Sequence, residues 1–274
     1  MTFSIVARQG DAYGVAVASK FLAVGALVPE AGPHGAVATQ AWGRVAYRRE
    51  LLDALAEGQS PEAALERCTA ADAGSATRQL GVVGREGAAT FTGAEAPDWA
   101  GGRSGEADDL AWAIQGNILV GEQVIEQMER AWLERGDLPF EARLVAALRA
   151  GDEAGGDRRG RQSAAVVAHQ PGRGYDETGV LADLRVDDHP DPVAELTRLL
   201  DLHELYFGRP GEPIPLTGPL AQEVRRRLAE QGRAHQDLQA ALTDWAGEVN
   251  LEGRLLPDGI DPRVLQMLRE RPGG

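Results

Sequence analysis

The chain has 274 residues, which suits one sizeable domain or one large and one small, and its single Cys68 offers no disulfide and favours a reducing compartment. A formal net charge of −14 argues against nucleic acid or an anionic membrane as the main partner. No apolar stretch is long enough to span a bilayer, and the start lacks a basic segment followed by an apolar one, so a cytoplasmic protein without a signal peptide is expected.

In chain order, Thr2-Phe3-Ser4-Ile5-Val6-Ala7 alternates as a strand does, and Gln9-Gly10-Asp11-Ala12 supplies a turn with Gly at its first central position, as a type II′ hairpin needs. Residues 15–19 form the return strand. A two-residue loop pairs Gln9 with Ala12 and Thr2 with Ser19, whereas a loop one residue longer pairs Thr2 with Lys20. In both registers the Ser19-Lys20 end lies beside the amino terminus.

Residues 21–28 are apolar and end at Pro29-Glu30, and 35–42 read as a strand. Residues 47–56 have helical spacing, and Ser60-Pro61-Glu62 opens a second helix with Ser60 as its cap. A hairpin follows, with 80–83 and 88–92 flanking Gly84-Arg85-Glu86-Gly87. The polar, Gly-rich stretch 93–109 reads as loop. A strand over 110–114 runs into Gln115-Gly116-Asn117. Helices are expected over 121–134 and 140–149, a loop over 151–160, strands over 163–169 and 180–186, and a helix from Asp191-Pro192 to Tyr206. Residues 208–213 look like a linker, and the remainder reads as two or three short helices. Helices grouped outside antiparallel sheets predict an α+β protein, an α/β/β/α sandwich with a small helical domain at the end. The expected domains are 1–207 and 214–274.

Among residues suited to chemistry, Lys20 is the only lysine, so the other 27 of the 28 basic residues are arginine. An ammonium can lose its proton when buried, which a guanidinium does not. Thr2 is small enough for Met1 to be removed, leaving an α-amine with a pKa near ~8 that can act as base for the threonine hydroxyl. Asn117 is a candidate oxyanion donor, with Gln115 beside it. Gln40 and Trp42 are candidates for a pocket wall, and Arg161 for gripping a substrate carboxylate. Asp187-Asp188-His189 are adjacent and read as turn and cap, not as spaced metal ligands. No phosphate-binding Gly-rich loop, nucleophile elbow or paired Cys ligands occur. Neither a metal nor another cofactor is expected.

The blocks Thr2-Phe3-Ser4-Ile5-Val6-Ala7, Gly14-Val15-Ala16-Val17-Ala18-Ser19-Lys20-Phe21, Gly35-Ala36-Val37-Ala38-Thr39-Gln40-Ala41, Gln115-Gly116-Asn117 and Asp183-Leu184-Arg185-Val186-Asp187-Asp188-His189-Pro190 resemble the bacterial family catalogued as domain of unknown function 1028, over about residues 1–207. The resemblance implies an N-terminal-nucleophile (Ntn) hydrolase-like αββα sandwich and amide hydrolysis by a terminal threonine. It implies Thr2 as nucleophile and base, Ser19 or Lys20 orienting it or lowering its amine pKa, and Asn117 aided by Gln115 on the oxyanion. Asp183 enters as a substrate-binding candidate with its block. Where the family often has Asn-Pro after the Ala-Trp block, this chain has Gly43-Arg44. The tail, 216–268, resembles a small domain named for peptidoglycan binding.

The expected activity is metal-independent amidohydrolysis of a small amide or ureido compound. The alternatives are a non-catalytic binding protein on the same fold and a peptidase acting on cell-wall peptides. A homodimer is compatible with a sheet-rich domain that exposes small residues.

Overall fold

The computed structural model describes residues 2–271. The expected loss of Met1, and the last three residues of the tail domain, lie outside them. The protein is mixed α+β, with two antiparallel sheets and, among the described residues, nine α-helices. It divides into two compact units, Met1–Leu200 and Asp201–Gly274.

In chain order the first unit contains β1 (Thr2–Gln9), β2 (Ala12–Ser19), the short helix α1 (Val24–Leu27), β3 (Pro29–Gly32) and β4 (Gly35–Ala41). Then come α2 (Ala46–Ala56), α3 (Pro61–Ala70), β5 (Arg78–Gly84), β6 (Gly87–Thr92), β7 (Gly101–Ala107) and β8 (Leu110–Asn117). Helices α4 (Gln123–Glu134) and α5 (Phe140–Glu153) precede β9 (Ser163–His169), β10 (Val180–Val186) and α6 (Pro192–Phe207), within which the division between units falls. One sheet has the order β10-β9-β2-β1-β8-β7 and the other β3-β4-β5-β6.

The β1–β2 hairpin closes with Gln9 opposite Ala12, the two-residue loop, and Gly10 takes a positive φ of 59° that suits its turn position. Ser60 caps α3 by accepting from the Ala63 N–H, with Pro61 at the first helical position.

Among the stretches that differ from the sequence expectation are β3, where no strand is expected, and two others. Within the Gly-rich segment expected to be loop, β7 pairs with β8 as an edge strand. Edge strands are buried on few sides, so Gly101 to Ala107 carries no apolar alternation to betray it. Strand β8 also runs on through Gln115-Gly116-Asn117 instead of turning there, because β1 continues the ladder to Thr2 opposite Asn117.

Period-two alternation sorts each strand's side chains. Phe3, Ile5, Ala16, Ala18 and Ile114 pack with Val124, Met128, Leu144 and Leu148 of α4 and α5. Val37, Leu80 and Val82 pack with Tyr47, Leu51 and Leu65 of α2 and α3. The opposite faces, with Val6, Val15, Val17, Ala36, Ala38 and Val83, meet between the sheets.

The second unit holds α7 (Gly218–Glu230), α8 (Leu238–Glu248) and α9 (Pro262–Glu270) around Trp245, Leu228, Leu242 and Leu268. Its buried Arg254 pairs with Asp261 at 3.2 Å, and Asp261 also caps α9 by accepting from the N–H groups of Arg263 and Val264.

Candidate active site

The inter-sheet face of five strands changes character at one end. Val6 is followed toward the amino terminus by Ser4 and Thr2, and Val15 and Val17 lead to Ser19. Ala36 and Ala38 lead to Gln40, Val83 and Gly81 to Gln79, and Ala111 and Ala113 to Gln115 and Asn117. All seven polar side chains are buried. Burying this many amides and hydroxyls is costly unless they bond to one another.

They do so in a network whose polarity can be worked out. The Gly116 carbonyl only accepts, so Gln79 must present Nε2 to it (2.8 Å) and turn Oε1 the other way. That Oε1 accepts from Gln40 Nε2 at 2.8 Å and from Asn117 Nδ2 at 2.9 Å. Gln40 Oε1 in turn accepts from Ser4 Oγ at 2.7 Å, and Ser4 Oγ accepts from Gln115 Nε2 at 2.6 Å. Gly81 is required here, since a Cβ on it would lie 2.2 Å from Gln115 Oε1.

The network ends on Thr2. Its carbonyl accepts from Gln40 Nε2 at 3.2 Å and from Asn117 Nδ2 at 3.5 Å. Its side-chain Oγ1 lies 3.2 Å from Ser19 Oγ, and the residue is 5% exposed. The backbone that carries this hydroxyl is thereby held from both sheets.

A cavity of about 460 Å³ opens over this point, lined by Thr2, Gln40 and Asn117 together with apolar groups from Phe21, Val24, Leu27 and Trp42. That volume suits a small molecule. Trp42 is 68% exposed at its edge. Two lining residues, Ala41 and Ile118, have positive φ values of 62° and 50°. For a β-branched side chain such as Ile118 this is a strained conformation, of the kind found at ligand sites. Asn117 Oδ1 is buried without a hydrogen-bond partner.

Two guanidinium groups reach the lining. Arg78 bonds through Nε to Asp72 at 3.0 Å and through Nη1 to the Trp42 carbonyl, which ties down the Trp42 segment. Hydrogen bonds from Arg78, then the Gly74 N–H and the Tyr47 hydroxyl, hold the Asp72 carboxyl down at about 2. Arg159 Nη2 lies 3.4 Å from Asp157 Oδ2. Asp157 is buried and accepts from the backbone N–H groups of Lys20 and Arg159, both at 2.8 Å.

Of the residues singled out from sequence, Thr2, Gln40, Trp42 and Asn117 line the cavity, and Ser19 stands beside Thr2. The others do not meet there. Gln115 is fully buried, its amide bonded to Ser4 on the neighbouring strand of the same sheet and packed against Gly81 of the other, and is not part of the wall. Lys20 is exposed, with Nζ donating to the Arg161 carbonyl at 3.2 Å. The guanidinium of Arg161, expected to grip a substrate carboxylate, is taken up by Asp152 at 2.8 and 2.9 Å and lines a different cavity. Asp183 is exposed on β10, the edge strand of its sheet.

Sequence reading missed Ser4, Gln79, Asp157 and Arg159. For Ser4 and Gln79 a signal existed, a polar residue of inward parity at the same end of each strand. Asp157 and Arg159 sit in an irregular loop with no periodicity to read. Among the described residues no group of three or more His, Cys, Asp or Glu is placed to hold a metal ion, and no helix is long and apolar enough to cross a membrane.

Fold and site together define a two-sheet α+β protein with a buried threonine at the mouth of a small-molecule cavity. Residues 2–196 match the family of unknown function DUF1028, and the chain belongs to that family. It is similar to protein SPO2555 from Silicibacter pomeroyi, a DUF1028 protein of known crystal structure, at 32% identity and a TM-score of 0.65, over 82% of this chain and 93% of that one. No curated protein matches the chain.

Proposed function

We propose that the protein is a cytoplasmic amidohydrolase of the N-terminal-nucleophile type, built on the αββα sandwich of that class and acting on a small amide or ureido compound. The observation that carries this reading is the placement of Thr2. Its hydroxyl is buried beside Ser19 at the cavity, and its carbonyl is pinned by the amides of Gln40 and Asn117.

The chemistry needs no metal. With Met1 removed, the Thr2 α-amine takes the proton of the Thr2 hydroxyl while Oγ1 bonds to the substrate carbonyl carbon. The tetrahedral intermediate collapses as its C–N bond breaks, and the proton passes from the ammonium to the leaving nitrogen. This leaves an ester on Oγ1. Water then attacks that ester, the amine takes the water's proton, and the proton returns to Oγ1 as the acid departs.

Ser19 orients the hydroxyl. Asn117 takes a different role from an oxyanion donor, because its Nδ2 is committed to Gln79 and the Thr2 carbonyl. Its unpartnered Oδ1 is an acceptor, suited to an N–H group brought to the site. The helical unit's resemblance to peptidoglycan-binding domains makes wall fragments a secondary set of compounds to screen.

The test pairs an intact-mass measurement on untagged protein with a screen of small amides and ureides on wild type and Thr2→Ala. Loss of Met1, with turnover that vanishes in Thr2→Ala while folding is retained, supports the reading. Retained Met1 in folded protein, or turnover that survives the substitution, overturns it.

A further inference from the structure

We infer that the compound bound at Thr2 carries an uncharged hydrocarbon chain of several carbons, and that Phe21, Leu27, Trp42 and Val45 are the groups that select it. The amide head of this compound rests on the hydrolase reading, whereas its apolar tail rests on the cavity wall.

Single exposed apolar side chains are ordinary on a protein surface, but a cluster of them marks a binding site. Among the described residues ten large apolar side chains are exposed, and four of the ten, Phe21, Leu27, Trp42 and Val45, line this one cavity. Leu22, 59% exposed, follows Phe21 in the chain. Val24 and Val28, both buried, add to the lining from the same segment. Leaving this much apolar surface in water is unfavourable, and a ligand that covers it recovers that free energy.

The fold holds these groups in place on two segments. Ala23 enters α1 with a positive φ of 53°, which a residue with a Cβ adopts only when its surroundings impose it. The imposing bonds come from β9 and the segment after β10. The Ala23 N–H donates to the Asp187 carbonyl at 2.9 Å, the Val24 N–H donates to Ser163 Oγ at 3.1 Å, and Ser163 Oγ donates to the Phe21 carbonyl at 2.5 Å. On the other segment the Trp42 N–H donates to the Thr77 carbonyl at 3.3 Å, and the Trp42 carbonyl accepts from Arg78 Nη1. Arg78 is itself anchored through Nε on Asp72 at 3.0 Å. A wall fixed by its backbone in this way needs little ordering when a ligand arrives.

Charge decides what kind of tail fits. None of the described residues lining the cavity is Asp or Glu, although the chain carries 42 acidic residues. The two charged residues in the lining are the cations Arg78 and Arg159, already paired with Asp72 and Asp157. A protonated amine therefore meets no counter-ion on the wall, and burying its charge costs more than burying a methylene gains. A hydrocarbon chain meets no such cost and covers the apolar lining.

The probes are methane-, butane- and hexanesulfonamide, which keep N–H groups and an alkyl chain but have no amide bond to cleave. They are titrated calorimetrically into the wild-type protein at pH 7. The expected result is about threefold tighter binding for each added methylene, on the order of 10²-fold from methane- to hexanesulfonamide. Hexanesulfonamide carrying a terminal ammonium should bind at least about tenfold more weakly than its uncharged parent. Trp42→Ser and Leu27→Ser, at exposed positions where the fold is not at stake, should each reduce the gain from chain lengthening by about tenfold. Affinity that does not rise with chain length, equal binding of the ammonium probe, a gain that survives both substitutions, or no binding of any probe overturns the inference. The hydrolase reading stands or falls separately. A chain-length gain in a protein whose wild type turns over no amide would leave the ligand class in place and remove the enzyme. Turnover of short amides without a chain-length gain would do the reverse.

Discussion

At one end of the inter-sheet space the two sheets meet through Val6, Val15, Val17, Ala36, Ala38 and Val83; at the other the same strands present Thr2, Ser4, Ser19, Gln40, Gln79, Gln115 and Asn117. The backbone is alike at both ends, so the difference lies in the side chains. The apolar end is non-directional, and any set of small aliphatic groups of the right volume fills it. The polar end is directional, since each amide has one orientation that satisfies its neighbours. Small valines and alanines bring the sheets together, and that fixed spacing lets a chain of hydrogen bonds run from Gly116 through Gln79 to the Thr2 carbonyl. One end sets the distance and the other uses it to hold a hydroxyl.

Substitutions at the two ends should therefore separate stability from activity. The largest effect is expected for Thr2→Ala, with a loss of turnover of about 10³-fold or more and a melting temperature close to wild type, read by amide hydrolysis and calorimetry. A comparable loss of melting temperature would mean that the hydroxyl is structural.

Next comes Gln79→Leu. It removes the acceptor of Gln40 and Asn117 and the donor to Gly116, leaving buried polar groups unpaired. The expected cost is about 3 kcal/mol of stability together with most of the activity. A variant as stable as wild type would show that the network is replaceable by packing.

At the apolar end, Val83→Thr keeps the shape but buries a hydroxyl among Val6, Val15 and Ala36. About 1–2 kcal/mol of stability should be lost, with kcat unchanged in the protein that remains folded. A fall in kcat would couple the two ends and break the contrast between them.

The smallest effect concerns the ionic support of the Trp42 wall. The Asp72 carboxyl is lowered to about 2 when folded, from an ordinary value near ~4, so its contribution is present above ~4 and is lost as the pH falls from ~4 toward about 2. The melting temperature of Asp72→Asn should accordingly lie below wild type at pH 7, and the gap should close as both are acidified through that window. A gap of constant size would show that Asp72 acts through hydrogen bonding that is insensitive to its charge.

Most strands were legible from alternation, as with β9 and β10, and α3 from its Ser60-Pro61 start. The exceptions are instructive. β7 is an edge strand with little to bury, so its residues Gly101-Gly102-Arg103-Ser104 carry no signature of the ladder they join. Gln115-Gly116-Asn117 has a turn's composition, and only its pairing with β1 makes it strand.

The site divides in the same way. The sequence by itself determined that a hairpin brings the Ser19-Lys20 end beside Thr2, and it marked Gln40, Trp42 and Asn117 as polar or aromatic residues ending apolar runs; the structure chose the two-residue loop, and with it the register. Tertiary structure decided which basic residue serves the cavity. Lys20, the distinctive one by composition, points its ammonium at the Arg161 carbonyl, and Arg161 is neutralised by Asp152, while the unremarked Arg159 reaches the wall. Local pattern fixes which face of a strand is buried because side-chain direction alternates along the chain. It is blind to where a long flexible charged side chain ends, because that depends on partners more than a hundred residues away, as the Arg161 carbonyl is from Lys20.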